Sequence, residues 1–175
     1  MIETERLRLR PWRDEDGPEF VRVTNTPAVM AHLGGVREPY DGRALVAEKQ
    51  ALQAEHGLCF WLVERRADGA VLGLCGLEPC DVGPVAGDVE IGWRLREDAW
   101  GQGYAREAAL ACLAWGWSHL DVPRIVAITV PANVASRGLM RRIGMTHRRE
   151  LDFDHPFFPL GHPLRAHVGY AIDRA

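Results

Sequence analysis

Residues 89–117, VEIGWRLREDAWGQGYAREAALACLAWGW, join three pieces of chain that differ in periodicity. From Asp88 to Leu95, Val89, Ile91, Trp93 and Leu95 fall on one face and Glu90, Gly92 and Arg94 on the other, as in a strand. Trp100-Gly101-Gln102-Gly103 makes a glycine-rich turn. From about Tyr104 to His119 a helix is expected that is apolar on nearly every side and therefore buried against a sheet. A turn of this kind leaves helix N–H groups unpaired at the positive end of the helix dipole, which is a seat for a diphosphate. Gly101 and Gly103 lack Cβ, so the backbone can approach a ligand closely. Two other phosphate-binding patterns fail. A P-loop needs Gly-Lys-Ser/Thr where Tyr104-Ala105-Arg106 stands, and a dinucleotide fingerprint needs a small residue at Arg106.

Upstream, Leu7 and Leu9 alternate with Arg6, Arg8 and Arg10 in a strand that Pro11 ends. Helices are expected from Asp14 to Thr24 and from Asp41 to about Gln53. Strands at Phe60 to Glu64 and Val71 to Leu77 flank Ala67-Asp68-Gly69, a hairpin turn. Downstream, Arg124 to Val130 reads as a buried strand. Asn133 to Ile143 reads as a helix with Ala135, Leu139 and Ile143 on one face and Gly144 at C′. Met145 to Phe153 and His167 to Ala171 are expected as two last strands around a proline-rich loop, Asp154 to Leu164. The sum is a mixed α/β (α+β) fold in one domain over residues 1–175.

Composition narrows the function. The 175 residues carry a net charge of −3, which disfavours nucleic acid as a partner. No run of 18 apolar residues predicts a membrane span, and the charged start is unlike a signal peptide, so a soluble cytoplasmic protein is expected. Cys59, Cys75, Cys80 and Cys112 form no CxxC pair and read as reduced thiols.

Leu95 followed by Trp100-Gly101-Gln102-Gly103-Tyr104-Ala105 resembles the Q/R-x-x-G-x-G/A motif of the GNAT N-acetyltransferases. Asn133-Val134-Ala135-Ser136, with Leu139 and Arg142-Ile143-Gly144-Met145, is similar to that superfamily's N-x-x-S…K-x-G-F segment. The opening Thr4-Glu5-Arg6-Leu7-Arg8-Leu9-Arg10 resembles the RimJ/RimL-like branch. Trp100 replaces the usual Gln or Arg, and Arg142 replaces a frequent Lys with its charge kept. The resemblance implies a mostly antiparallel sheet split between its fourth and fifth strands, flanked by about four helices, with acetyl-coenzyme A in the gap. It also implies that Trp93 and Leu95 bond the pantetheine through the backbone, that Gly101, Gln102, Gly103, Tyr104 and Ala105 hold the pyrophosphate, and that Asn133 and Arg142 contact the cofactor. No metal is implied, and a homodimer is common in the family.

Amine acetylation needs a base for the amine and a donor for the leaving thiolate. Glu90 is the first candidate for the base, on a strand face where Gly92 could leave room for an acceptor. The ordinary alternative is a half-exposed strand glutamate. Asn133 also suits a helix N-cap. Ser136 stands where the RimL-like branch is thought to serve the thiolate with a serine, though a first-turn serine is commonly just solvated. His155, in the proline-rich loop, is the second candidate base, against simple loop packing. His155, His162 and His167 are spaced too widely for a metal set. The acceptor would be a small amine or a protein N-terminus. A non-catalytic acyl-CoA sensor and an inert scaffold are the competing readings.

Overall fold

The two periodicities resolve, in the computed structural model, into nine strands and five α-helices; residues 1–174 are described. In chain order the elements are β1 (Ile2–Glu3), β2 (Leu7–Arg10), α1 (Asp16–Thr24), α2 (Pro27–Met30), α3 (Gly42–His56), β3 (Phe60–Arg65), β4 (Val71–Pro79), β5 (Val89–Leu95), α4 (Tyr104–His119), β6 (Arg124–Thr129), α5 (Val134–Arg142), β7 (Thr146–His147), β8 (Phe153–Asp154) and β9 (Ala166–Asp173). The sheet order is β1-β2-β3-β4-β5-β6-β9-β7, with β8 also on β9. Every pairing is antiparallel except β5 with β6.

That parallel pairing fixes the molecule's form. It holds only at Val89↔Ile125 and Glu90↔Val126, after which the strands diverge. The gap lies where the resemblance put it, one strand later in the count because Ile2–Glu3 forms a short strand of its own. A two-point ion pair, Asp88 to Arg124 at 2.9 and 2.7 Å, closes its base.

α4 runs over the expected residues and buries Ala108, Ala109, Cys112 and Leu113 against the sheet. Gly116 lets it come that close, since a Cβ there would stand 2.8 Å from Leu77 and 3.1 Å from Ile125. Asp41 caps α3 by accepting from the amides of Arg43 and Ala44, and Gly57 ends it in the left-handed region at φ 74°. All four cysteines are free and buried.

One expectation needs correction, and two features left no signal in the sequence. Met145 to Phe153 is not one strand: a 3-10 turn at Arg149–Leu151 separates β7 from β8, and the buried Leu151 side chain packs against Gly169 of β9. α2, only four residues long, is too short to leave a periodic signal. The arginines of the opening strand do not all face solvent. Arg10 is 5% exposed, pairing with Asp16 at 2.7 Å and Glu64 at 3.0 Å to tie β2, β3 and α1 together.

Candidate active site

Register decides which groups look into the gap. Arg96 donates its amide to Leu72 on β4, and Glu78↔Glu90 through Gly73↔Leu95 pair without a bulge. By two-residue alternation Arg94, Gly92 and Glu90 spend their main-chain groups on β4, while those of Trp93 and Leu95 point toward β6. Past Glu90 no β6 pairing meets them. The Leu95 carbonyl is taken up by the Trp100 indole at 2.9 Å, which leaves its amide and the Trp93 groups directed at the gap.

A cavity of about 360 Å³ opens on the α1–α3 side of this gap. Glu90, Gly92, Trp93, Asn133 and Ser136 all line it, so the structure brings these predicted residues together. Asn133 caps α5, its Oδ1 accepting the Ser136 amide at 3.2 Å and its Nδ2 donating to Thr129 at 3.2 Å. The cap fixes the first turn of α5, and with it Ser136, at the cavity wall. Gly92 does not leave room for an acceptor. The Phe60 ring fills that space, 2.6 Å from where a Cβ would stand.

Glu90 is enclosed on its strand and meets solvent through the cavity. Burial pushes its pKa up to about 7, Glu78 adds to the rise, and the Cys80 thiol, the Ile128 amide and Lys49 oppose it. Glu78 stands directly opposite across the ladder, where Cα atoms of a bonded pair lie roughly 5.5 Å apart. Its own environment differs. Glu78 accepts from the Phe60 amide at 2.9 Å and pairs with Lys49 at 2.8 Å. Lys49, the single lysine of the chain, is 6% exposed. Burial alone would lower its pKa, but Glu78 and Glu48 outweigh it and hold the ammonium above its ordinary value. Glu78 is thus held by the Phe60 amide and the Lys49 ammonium, while Glu90, which forms no ion pair among the described residues, is the carboxyl raised toward neutrality.

At the other end, Gly101 and Gly103 take left-handed φ of 72° and 82° and no side chain caps α4. The first amides of that helix are therefore free of a protein cap. The N-terminal segment braces the turn: Arg6 donates to the Gln102 carbonyl at 3.0 Å and pairs with Glu107 at 2.7 Å, while Thr4 bonds the same carboxylate at 2.5 Å. Gln102 itself turns back to the Asp98 carbonyl at 2.7 Å.

Residues 6–146 match the family profile described as Acetyltransferase (GNAT) domain. The chain belongs to the GNAT acetyltransferase family. The uncharacterized N-acetyltransferase YnaD of Bacillus subtilis is 30% identical over 98% of this chain and 95% of its own. A GNAT-family acetyltransferase structure from Bacillus anthracis is similar at 28% identity and TM-score 0.79, covering 98% of this chain and 97% of that one. RimL, a ribosomal-protein acetyltransferase solved with coenzyme A, shares the fold at TM-score 0.78 and 19% identity, over 97% and 95% of the two chains. An acetyl-CoA-dependent acetyltransferase follows from the family.

His155 and Arg142 of this GNAT chain, like Leu95 and Gly101 to Ala105, are not among the residues that line the cavity. His155 packs in the loop after β8 against Phe153, Phe158 and His167, with ring centroids 5.7, 5.9 and 4.8 Å away. Burial and the neighbouring His167 lower its pKa, and Asp81 opposes. Arg142, exposed at the end of α5, lies back over Gly138. The sequence reading missed Glu78, Lys49 and Cys80, whose relation to Glu90 rests on long-range pairing. A glutamate in a strand otherwise buried from Leu72 to Leu77 was the available signal for Glu78. No described helix is long and apolar enough to cross a membrane, and no group of three His, Cys, Asp or Glu among the described residues could hold a metal.

Proposed function

We propose that this chain transfers acetyl from acetyl-CoA to a primary amine by direct attack in a ternary complex, the acceptor being a small amine or a protein N-terminus. In this reading the Trp93 and Leu95 backbone and the amides from Gly101 to Ala105 hold the cofactor. Glu90, not His155, takes the proton from the attacking amine, directly or through a water. The amine nitrogen bonds to the thioester carbon as the carbon–sulfur bond breaks. Ser136 donates a hydrogen bond to the departing thiolate, which leaves as coenzyme A. The capped position of Asn133 keeps Ser136 in place for that contact.

The observation that carries the reading is the Glu90 carboxyl on the cavity wall, facing the Lys49-bound Glu78 across the ladder and raised to about 7. A base is most effective when its pKa lies near the working pH. The test is the pH profile of kcat/KM. The native enzyme should gain rate as pH rises through about 7, because the ionised carboxylate is the active form. Glu90→Gln should be slower and lose that inflection, keeping only the limb set by the amine's own ionisation, so its deficit narrows at high pH. An inflection retained in the glutamine variant would move the base elsewhere. No thiol release with any amine would leave an acyl-CoA sensor.

A further inference from the structure

The chemistry above leaves one wall of the cavity unused. The loop between α2 and α3 brings Arg37 and Tyr40 to it, and β5 brings Arg94 on the same face as Glu90. Arg94 donates to the Tyr40 hydroxyl at 2.9 Å, lies over the Phe20 ring at 4.6 Å and has the Met30 sulfur 3.5 Å away. Arg37 stands 5.4 Å from the Tyr40 ring centre, on which Arg94 also bears at 5.8 Å. Two cations thus converge on one phenol.

Among the described residues neither arginine forms an ion pair. Burial lowers the Arg94 pKa from its ordinary value, Tyr40 opposes this, and Arg37 adds to it. An enclosed cation without a counter-charge is costly unless something anionic is to fill the place. The cavity's acids are not available for that. Glu48 and Glu78 hold Lys49 at 2.8 Å each, and Glu90 faces Glu78. Arg37 and Arg94 are thus the lining cations that no carboxylate pairs.

We propose that Arg94 and Arg37, with the Tyr40 hydroxyl, bind an anionic group of the acceptor, so that the acceptor is a small primary amine that also carries a carboxylate. This rests on the reading of the cavity as the acetyl-transfer site. Placement sets a length as well. Glu90 and Arg94 are four residues apart on an extended strand, about 13 Å between Cα atoms. The amine and the carboxylate therefore belong at opposite ends of a chain of several carbons, as in an ω-amino acid, and not on one carbon as in the α-pair of an amino acid. The phosphates of the cofactor are the other available anion. Against them, Arg94 packs on Phe20 of α1, whereas α4 covers the opposite face through Gly116 and Leu77, the partner of Ile91.

The experiment separates binding from turnover. Hexanoate and hexanamide are titrated calorimetrically into the CoA-loaded protein, and 6-aminohexanoate and 6-aminohexanamide are compared as acceptors. Hexanoate should bind about tenfold or more tightly than the amide, the size expected of charge-assisted hydrogen bonds. The acid acceptor should lead in kcat/KM by a similar factor. Arg94→Gln and Arg37→Gln should each erase the difference with acetyl-CoA affinity within about twofold of native; Arg37 is exposed on a loop, so its variant keeps the test if Arg94→Gln does not fold. Equal binding of hexanoate and hexanamide by the native protein overturns the proposal. So does loss of acetyl-CoA affinity in the arginine variants with hexanoate binding intact, which would give these cations to the cofactor. If hexanoate binds through the arginines and no amine is acetylated, the anion site stands and the transfer reading falls.

Discussion

A carboxyl group whose pKa is raised by folding costs stability once it ionises, and Glu90 is such a group. The sign is fixed by the direction of the shift. The folded state is favoured relative to the unfolded one below the unfolded value near 4.5, and that advantage is lost as pH rises through about 7. Glu90→Gln removes the charge but keeps an acceptor for the Ile128 amide. Its melting temperature should match the native protein near pH 4.5 and exceed it by several degrees at pH 8, while activity falls. Equal melting temperatures across that range would mean that Glu90 is better solvated than its surroundings indicate. Ser136 allows a second test at this scale. Ser136→Ala should lower turnover about tenfold to a hundredfold, the effect of one lost hydrogen bond of ~1.5–3 kcal/mol to a charged group, with coenzyme affinity nearly unchanged. Full activity would leave Ser136 as a first-turn residue of α5 and nothing more.

Elements carry the next level of function, because each presents its side chain or amide only if its neighbours hold it. The start of α4 is held from outside by Thr4 and Arg6, which explains physically why an opening Thr-Glu-Arg segment belongs with a glycine turn a hundred residues away. Gly103→Glu should abolish acetyl-CoA binding in a folded protein, since the left-handed φ of 82° disfavours a side chain and the carboxylate would face a diphosphate. Unchanged affinity by calorimetry would rule the seat out. We expect His155 to serve packing in the loop after β8. His155→Ala removes tilted and edge-on ring contacts worth roughly 1–2 kcal/mol, or about 2–8 °C, and should leave kcat per folded molecule unchanged. A raised amine KM without thermal cost would return His155 to the acceptor site.

These elements also show what the sequence could convey. β5, α4 and α5 were legible because each is long enough to show its pattern, and α4 and α5 start on a glycine and an asparagine with a local job. β7 and β8, two residues each, were not, since nothing in Thr146 to Asp154 announces the 3-10 turn that lets Leu151 reach the core. The site was legible in its members and not in its electrostatics. Glu90 stood on an alternating strand and Ser136 in a recognisable motif, but the Glu78–Lys49 pair beside Glu90 depends on the register of β4 against β5 and on α3 lying across them.

The whole molecule is a sheet pried open at one joint. β1 to β5 and β6 to β9 are each continuous ladders, joined by two residue pairs, the Asp88–Arg124 ion pair and the helix that packs across both. A ligand in the gap would give the free edge of β5 the partner that β6 withholds, and the alternation of the strand makes that measurable residue by residue. Arg94 and Gly92 already bond β4, so their amides should exchange slowly with or without acetyl-CoA. The Trp93 and Leu95 amides face the gap, so acetyl-CoA should slow their exchange by about tenfold or more while sparing their neighbours. Gly101 to Ala105 should gain protection with them. Uniform slowing over both ladders would instead mean that the cofactor only stabilises the fold at large, by mass action on global unfolding. No change at Trp93 and Leu95, with Gly103 protected, would seat the diphosphate on α4 and take the pantetheine off this strand, and the assignment of the gap as its channel would be wrong.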